Sequence, residues 1–335
     1  MSDLRTKYLG FDLINPLVIS ASPLSRKVDN VKKLEDAGAS AVVLYSLFEE
    51  QLMIESQSYD YFLNRGIESF AEAITYFPDL DNFKVGPDNY LDHIRKLKET
   101  VDIPIIGSLN GISTGGWINI SKQIEDAGAD ALELNLYYIP TDSNVSGDTI
   151  EKLNIDIISK IKKNISIPLS VKLSPFYTSL PNLISQLHNI DVNGIVLFNR
   201  FLQPDLDIDN FEIKPINPIS TPQDLYLPLR WTAILYNDTK LDIGISGGVH
   251  SGRSMVKSIL AGASSCLIAS EIIKNGFSRI SEMLSEFSMW MNDNAYDTIG
   301  QMKGAMSQNN ITDPAAYERA NYMKALSSYE DHLPF

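Results

Sequence analysis

Eight short apolar runs, rich in β-branched residues, recur along the chain and constrain its fold more than any other feature. Each run is almost continuously hydrophobic, which is typical of parallel strands covered on both faces. Helical sequence separates most of them. The runs cover residues 16–21, 41–45, 104–109, 131–136, 168–173, 194–199, 242–246 and 265–270.

One turn sequence precedes three of these runs, as Ala37-Gly38-Ala39, Ala127-Gly128-Ala129 and Ala261-Gly262-Ala263. A glycine just after a helix supplies the left-handed residue that ends it, so three copies of this turn indicate a repeated βα unit. Eight such units predict an α/β fold, a (β/α)8 TIM barrel. A doubly wound open sheet with eight strands has the same local signature and is the alternative.

The length of 335 residues would allow two or three domains at about 100–200 residues each, but a barrel uses about 250 residues as one unit. No linker composition divides the chain, so we expect residues 1–335 to form a single domain. The surplus lies in long loops after strands 2 and 6, at 46–88 and 201–223, and in a C-terminal helical extension at 295–335. Both loops follow strand ends where a barrel builds its active site. They are candidate site covers, with surface decoration or oligomer contacts as the alternative.

The balance of 28 basic against 42 acidic residues gives a net charge of −14, which argues against a nucleic-acid or membrane partner. Cys266 is the single cysteine, and the four histidines show no metal-ligand spacing, so we expect no metal site. The N-terminus lacks an apolar signal segment, and no apolar run reaches the ~18 residues of a membrane helix. We therefore expect a soluble, cytoplasmic protein.

Polar residues at the carboxyl ends of barrel strands point into the site, and several predicted strands end in such residues. Lys172 is the most informative, because Val171 and Leu173 flank it in a buried strand. An unpaired buried charge is very costly, so this lysine needs an anionic or polar partner. It is either a cation facing a ligand or half of a structural ion pair with a residue such as Glu133.

A second signal follows the seventh and eighth strands. Ser246-Gly247-Gly248 ends one strand and leads into a helix, and Ala269-Ser270 ends the next. In many barrels the loops at this point hold a phosphate on glycine-exposed backbone amides and a helix N-terminus. The position predicts a phosphorylated ligand. His250 beside the turn is either a phosphate contact or a solvated loop residue.

With these features the sequence resembles the FMN-dependent dihydroorotate dehydrogenase family, particularly its soluble class. The resemblance runs through nearly the whole chain in the right order. The blocks that carry it are Asn15-Pro16-Leu17, Glu133-Leu134-Asn135-Leu136, Val171-Lys172-Leu173-Ser174-Pro175, Ser246-Gly247-Gly248, and Met291-Asn292 running on to Tyr296 and Gly304.

The resemblance implies a barrel with FMN lying across the strand carboxyl ends. It places Ala21 and Ser22 along the isoalloxazine, and Asn135 and Lys172 at its polar edge. A cation there stabilises the charge that a flavin gains with a hydride. We expect the FMN phosphate to be bound by Ser246, Gly247, Gly248, Ala269 and Ser270. We expect the substrate to be bound by Asn110, Asn199 and Tyr45.

The chain also departs from the family pattern. Tyr45 stands near the position of a family lysine, and residues 46–88 contain no counterpart of the family's Asn-Ser-Met-Gly-Leu-Pro-Asn substrate loop. Residues 135–140 read Asn-Leu-Tyr-Tyr-Ile-Pro where the family has Asn-Leu-Ser-Cys-Pro-Asn, so Tyr138 replaces the cysteine or serine base. A family Gly-Gly loop after strand six is not evident near Ser220.

An unperturbed tyrosine has a pKa of about 10, so it is a poor base at neutral pH and a suitable proton donor. Three hypotheses follow. The protein is an oxidoreductase of dihydroorotate or a related dihydropyrimidine in pyrimidine biosynthesis, or a flavin-dependent reductase of another C=C bond with Tyr138 or Tyr137 as proton donor, or a non-catalytic flavin-binding protein. We expect a small-molecule substrate, an electron acceptor that the sequence does not identify, and, since barrels of this family commonly pair, a homodimer.

Overall fold

A computed structural model describes residues 2–48, 87–110, 115–136, 139–200, 204–215, 219–318 and 322–323. Two short strands come first, and parallel strands alternate with helices after them. The strands are β1 (Thr6–Tyr8), β2 (Phe11–Leu13), β3 (Leu17–Ile19), β4 (Ala41–Val43), β5 (Leu47–Phe48), β6 (Ile105–Asn110), β7 (Ala131–Asn135), β8 (Leu169–Leu173), β9 (Gly194–Leu197), β10 (Pro204–Asp207), β11 (Glu212–Pro215), β12 (Asp242–Ser246) and β13 (Ser265–Ile268).

Eight of these strands close into a parallel barrel. The ring runs β3, β4, β6, β7, β8, β9, β12, β13 and back to β3. The closing pairs are β13 with β3, where Cys266 lies opposite Leu17, and β4 with β6, where Val42 lies opposite Ile105. Each of the eight apolar runs contains one barrel strand. The predicted (β/α)8 barrel is confirmed, and the open-sheet alternative was wrong because the first and last strands pair.

Helices connect the strands and pack outside the barrel, and the three repeated turns behave as predicted. Their glycines have φ of 107°, 97° and 121°, the left-handed region that ends a helix. The helices are α1 (Val28–Asp36), α2 (Pro87–Lys98), α3 (Gly115–Asp126), α4 (Gly147–Asn164), α5 (Leu180–Asn189), α6 (Tyr226–Leu235), α7 (Gly252–Ala261), α8 (Ser270–Asn275), α9 (Arg279–Asp293) and α10 (Ile299–Met302). Within the described ranges, no helix combines the length and apolarity that crossing a bilayer requires.

The β1–β2 hairpin, which the sequence analysis did not predict, closes the amino-terminal end of the barrel. Tyr8 and Leu9 at its turn are buried. Glycines in the barrel wall make room for them, since a Cβ on Gly194 would lie 2.7 Å from a methyl group of Leu9 and one on Gly244 would lie 3.1 Å from the Tyr8 hydroxyl. The Leu9 amide donates a hydrogen bond of 2.8 Å to Asp242 at the start of β12.

The predicted long loops are partly described. The segment after β4 continues as β5, which pairs with the end of β6, and residues 49–86 lie outside the described residues. After β9 the chain forms an antiparallel hairpin of β10 and β11. At the C-terminal end, α10 is followed by short helical turns at Gln308–Asn310 and Pro314–Tyr317.

Adjacent residues of the β1–β2 segment provide a test of the amino-terminal closure. Leu13 is 2% exposed and packs in the barrel core, whereas its neighbour Ile14 is 61% exposed. Leu13→Ala should lower the free energy of unfolding by about 2–5 kcal/mol because it leaves a cavity. Ile14→Ala should change it by less than about 0.5 kcal/mol. Urea unfolding followed by circular dichroism measures both, and equal effects would contradict the assignment of this hairpin to the core.

Candidate active site

The carboxyl ends of the barrel strands line several adjoining cavities, one of about 420 Å³ and two others that share Lys172. Of these two, one has a volume of about 410 Å³ (here called the large cavity) and one of about 340 Å³ (the small cavity). They share Ala21, Lys172, Asn199 and Arg200 in their walls. Most of the predicted site residues meet here. Ser22, Ser246, Gly247, Gly248, Ala269 and Ser270 line the large cavity, and Asn110 and Asn135 line the small one.

Lys172 stands where the two cavities meet. Its side chain is 7% exposed, and Nζ lies 3.4 Å from Oε1 of Glu133 and 3.3 Å from Oγ of Ser20. Glu133 is 1% exposed, and its second oxygen, Oε2, has no hydrogen-bond partner among the described residues. The lysine is therefore paired with Glu133 and also lines both cavities, and its contact with a ligand stays a prediction.

Tyr8 is buried in the barrel interior near this pair. Complete burial raises the pKa of the Tyr8 hydroxyl well above its usual range, and the negative charge of Glu133 raises it further. The Tyr8 hydroxyl therefore stays neutral and adds no second buried negative charge beside Glu133. Lys172 and Glu133 thus form a buried ion pair near the carboxyl ends of the barrel strands.

Asn135 is held from below by three oxygen acceptors. Its Nδ2 donates to Oγ of Ser108 at 2.9 Å, to the backbone oxygen of Leu109 at 3.3 Å and to Oγ of Ser46 at 3.3 Å. The two serine hydroxyls are joined at 2.8 Å. Since the nitrogen side of the amide is committed to described residues, its carbonyl oxygen is the atom that can accept a hydrogen bond from a ligand.

The glycine turn after β12 forms one end of the large cavity. Gly247 and Gly248 have φ of 90° and 75°, which favours glycine at both positions. A side chain on Gly248 would collide with the backbone of Leu225, whereas a Cβ on Gly247 would meet nothing within 4 Å. The cavity end is therefore shaped by backbone, as a phosphate site requires.

The N-terminus of α7 is also predicted to contact a phosphate, and two of its amides are bonded within the protein. The amide of Gly252 donates to Glu286 at 2.7 Å, and that of Ser254 donates to Oγ of Ser251 at 3.2 Å. This end of the large cavity is lined by the Gly247-Gly248 turn, by Ala269 and Ser270, and by Ser220.

Ser220 was missed as a site residue because no local motif marks it. Its amide donates to Oγ of Ser270 at 2.9 Å, and its Oγ lies 3.4 Å from the amide nitrogen of Gly248 and 3.0 Å from Nε2 of His250. The His250 side chain is only 13% exposed, and its Nδ1 lies 2.9 Å from Oε2 of Glu271. His250 is therefore not a solvated loop residue, since both ring nitrogens are bonded.

A buried hydroxyl indicates where a ligand contributes contacts. Ser22 lines the large cavity, and its Oγ is buried with no hydrogen-bond partner among the described residues. A buried polar group without a partner costs free energy, so such an atom in a cavity wall usually has a ligand or water as its partner. Ser22 lies where sequence analysis had placed a cofactor contact.

Tyr45 does not join the other predicted residues. Its ring lies 5.1 Å from the ring of Tyr90, edge to face, and the Arg26 guanidinium carbon lies 5.5 Å from its centroid. The backbone turns between β4 and β5, so Tyr45 lines a separate cavity with His93, while Ser46 and Phe48 line the small cavity in its place. Burial raises the pKa of Tyr45.

Tyr137 and Tyr138, the predicted proton donors, lie outside the described residues. Nothing in the described ranges brings three or more His, Cys, Asp or Glu side chains together as metal ligands.

Comparisons with known proteins agree with this geometry. A family model described as "Dihydroorotate dehydrogenase" matches residues 81–291, more than half of the chain. The dihydroorotate dehydrogenase B (NAD(+)), catalytic subunit, of Thermoplasma volcanium is 26% identical over 91% of this chain and 98% of its own length. The corresponding protein of Methanocaldococcus jannaschii is 24% identical over 87% and 94%. The NAD-dependent dihydropyrimidine dehydrogenase subunit PreA of Escherichia coli K12 is 22% identical over 95% and 80%.

The resemblance noted from the sequence is thus confirmed: the chain belongs to the dihydroorotate dehydrogenase family of flavin-dependent oxidoreductases that act on CH–CH bonds.

Proposed function

We propose that this protein is an FMN-dependent oxidoreductase of dihydroorotate or a closely related dihydropyrimidine. The observation that carries the proposal is the junction of two cavities at Lys172. One has a backbone-shaped end that suits a phosphate, and the other is lined by the amides of Asn110, Asn135 and Asn199. A phosphorylated flavin requires the first, and a cyclic imide substrate, with alternating donors and acceptors, suits the second.

The described residues fit FMN at both of its ends. The orphaned hydroxyl of Ser22 gives a polar partner to a ring system in the large cavity, and the space beside Gly247 admits a phosphate. When bound, FMN supplies the group that accepts or delivers a hydride. Ala21, Ser22, Asn135 and Lys172 would hold its ring, and Ser246, Gly247, Gly248, Ala269 and Ser270 its phosphate.

Lys172 gives the site a fixed cation in surroundings with little water. Electrostatic stabilisation of a neighbouring anionic group is strongest when the cation is preorganised and solvent is excluded. The contacts to Glu133 and Ser20 hold Nζ in place before any ligand arrives. The negative charge of Glu133 also balances the positive charge of Lys172 when no ligand is bound.

Arg200 favours dihydroorotate as the substrate. It lines both cavities, its side chain is 38% exposed, and its guanidinium lies 3.9 Å from Asp224. Dihydroorotate carries a carboxylate that dihydrouracil lacks, and arginine is well suited to bind a carboxylate. Tyr45 stands near the position of a family lysine and faces another cavity, so Arg200 is the cation that can take up this role.

A second candidate function, reduction of another C=C substrate, is favoured by the Tyr137-Tyr138 sequence. A neutral phenol donates a proton readily and removes one poorly at neutral pH. In this direction a tyrosine would protonate the substrate carbon opposite the one that receives the hydride. The two candidates share the same flavin site and differ in the residue that moves the proton.

The electrons must reach a partner outside the chain. A single cysteine cannot supply the thiolates of an Fe–S cluster. All three relatives described above are named as subunits, two of them as catalytic subunits. We propose that this chain is likewise a catalytic subunit, present in the cytoplasm as a homodimer, and that an electron-transfer subunit or a soluble acceptor meets the flavin directly.

The Lys172–Glu133 pair provides the first test. Lys172→Met alone should lower the free energy of unfolding by about 3–5 kcal/mol, since it leaves Glu133 charged and unpaired in the barrel. Combining it with Glu133→Gln should restore most of the stability. Turnover should stay about 10²–10³-fold lower in the double variant, because the cation at the cavity junction is missing. Urea unfolding and steady-state assays separate the two effects, and wild-type turnover in the double variant would contradict a role for Lys172.

Arg200→Gln tests the choice of substrate. Loss of a charge-assisted hydrogen bond of about 1.5–3 kcal/mol should raise the KM for dihydroorotate about 10- to 100-fold. Activity on dihydrouracil, which has no carboxylate, should change little. Arg26→Gln, in the separate cavity beside Tyr45, is the matched control and should leave both substrates unaffected. Equal losses for both substrates in Arg200→Gln would argue against carboxylate recognition.

Phenylalanine variants of the two tyrosines test the proton donor. General acid catalysis contributes about 10²–10⁴-fold, so Tyr138→Phe should lower turnover by that order while the amount of bound flavin, measured by absorbance, stays constant. Tyr137→Phe is the paired comparison, and the donor is whichever position shows the loss. Undiminished turnover in both variants would remove the tyrosines from the mechanism.

A further inference from the structure

We propose that Ser220, His250 and Glu271 form a proton-coupled hook for a phosphate group at the end of the large cavity. In this arrangement, here called the phosphate hook, the Ser220 hydroxyl binds a phosphate oxygen only when His250 carries a second proton. The inference rests on the proposed function in that the natural phosphate would belong to FMN. It adds a side-chain device to the backbone site formed by Gly247 and Gly248.

The geometry of the phosphate hook is a continuous chain of hydrogen bonds. Oε2 of Glu271 lies 2.9 Å from Nδ1 of His250, and Nε2 of His250 lies 3.0 Å from Oγ of Ser220. The Ser220 hydroxyl forms part of the cavity wall beside Gly247 and Ser270. The bond from the Ser220 amide to Oγ of Ser270 fixes the serine backbone in this place.

The protonation state of His250 decides what the Ser220 hydroxyl can do. A carboxylate only accepts hydrogen bonds, so Nδ1 facing Glu271 carries a proton. In the neutral ring Nε2 is then an acceptor, and the Ser220 hydroxyl must donate to it. In the imidazolium Nε2 donates to the serine oxygen, and the hydroxyl proton can turn toward the cavity. Donation to a phosphate therefore requires one more proton on His250.

Glu271 is held as a carboxylate, which the phosphate hook requires. Burial acts to raise its pKa, but hydrogen bonds from Arg279 and His250 outweigh burial, so the pKa is lowered. Nε of Arg279 lies 2.8 Å from the other oxygen of Glu271, and its Nη2 donates to the backbone oxygen of His250 at 3.3 Å.

The charged side chains around His250 are mostly acidic. On α9, Arg279 also binds Glu286 at 2.6 Å and Glu282 at 3.1 Å, so with Glu271 three carboxylates share one guanidinium. Asp224, in the segment before α6, accepts from the Thr221 amide. Arg253 on α7 is exposed. The local charge balance is therefore negative before any ligand binds.

Phosphate binding should therefore be linked to proton uptake. A phosphate monoester has a second pKa near 6 and is largely a dianion above neutral pH. Imidazoles change charge between about pH 5 and 8. Because the bound state holds more protons than the free state, raising the pH must weaken binding. The limiting slope for one linked proton is tenfold in Kd per pH unit, and riboflavin, which lacks the phosphate, should show no such slope.

The experiment is calorimetric titration of the flavin-free full chain with FMN at pH 8, in two phosphate-free buffers of different ionisation enthalpy. We expect uptake of between about half and one proton per FMN, and none with riboflavin. Ser220→Ala should abolish the uptake and raise the Kd for FMN about 10- to 100-fold without changing riboflavin binding. His93→Gln, in the separate cavity beside Tyr45, is the matched control and should behave as the wild type.

His250→Gln distinguishes the proton from the structural bond. The side-chain amide nitrogen of glutamine can take the place of Nε2 as a permanent donor to Ser220. This variant should bind FMN at pH 8 at least as tightly as the wild type, with no proton uptake and no pH slope. Equal uptake in Ser220→Ala, in His250→Gln or with riboflavin would overturn the inference.

Failure of the proposed function has a different outcome. If the wild-type chain binds no FMN, the proposed cofactor is wrong, and inorganic phosphate becomes the probe for the phosphate hook. The His250 ring signals, assigned by their loss in His250→Gln, should then shift toward the protonated form on adding phosphate at pH 8. Unshifted signals would overturn the phosphate hook whatever the cofactor is.

Discussion

The buried ion pair between Lys172 and Glu133 is the interaction on which the rest of the site depends. In the register of β7 and β8, Asn135 lies opposite Lys172 and Glu133 lies opposite Ser170. Side chains two residues apart on a strand share a face. Both strands thus present their polar residues to the barrel interior, where the two charges neutralise each other. A barrel built only of apolar side chains would have no cation at its carboxyl end.

The buried pair depends on the closure of the amino-terminal end of the barrel, opposite the cavities. The β1–β2 hairpin inserts Tyr8 and Leu9 against Gly244 and Gly194, and both side chains are buried there. Low polarity strengthens the attraction between the charges, and it also makes either charge very costly when alone. Stability and chemistry are therefore coupled in this fold, since the same strands carry the core and the cation.

The sequence was sufficient for the barrel and for most of the cavity wall. Buried parallel strands are nearly continuous apolar runs, and polar residues that interrupt such runs, such as Lys172 and Asn135, are conspicuous. The β1–β2 hairpin was missed because its strands are three residues long and have no apolar run, and only tertiary packing buries them. Tyr45 was misplaced because its direction depends on how the chain turns between β4 and β5.

Ser220 and His250 illustrate a different limit of sequence reasoning. They are 30 residues apart, and neither lies in a motif with the other. Their contact exists because the segment before α6 packs against Gly248, a position where any side chain would collide with Leu225. A glycine selected for close approach is visible in the sequence, but the segment that approaches it is not. The bond from the Gly252 amide at the start of α7 to Glu286 is equally invisible in the sequence, since Glu286 lies 34 residues further on in α9.

The acidic composition of the chain explains why the basic side chains near the cavities are paired with carboxylates. At a net charge of −14, the cations around the cavities are already matched to carboxylates: Lys172 to Glu133, Arg200 to Asp224, and Arg279 to Glu271. An anionic ligand must therefore compete with a carboxylate that is already paired with the cation, or its binding must be coupled to protonation of a neutral side chain. In the proposed phosphate hook, His250 would supply that charge through its contact with Ser220. An acidic protein can in this way bind a dianion selectively without carrying a permanently basic pocket.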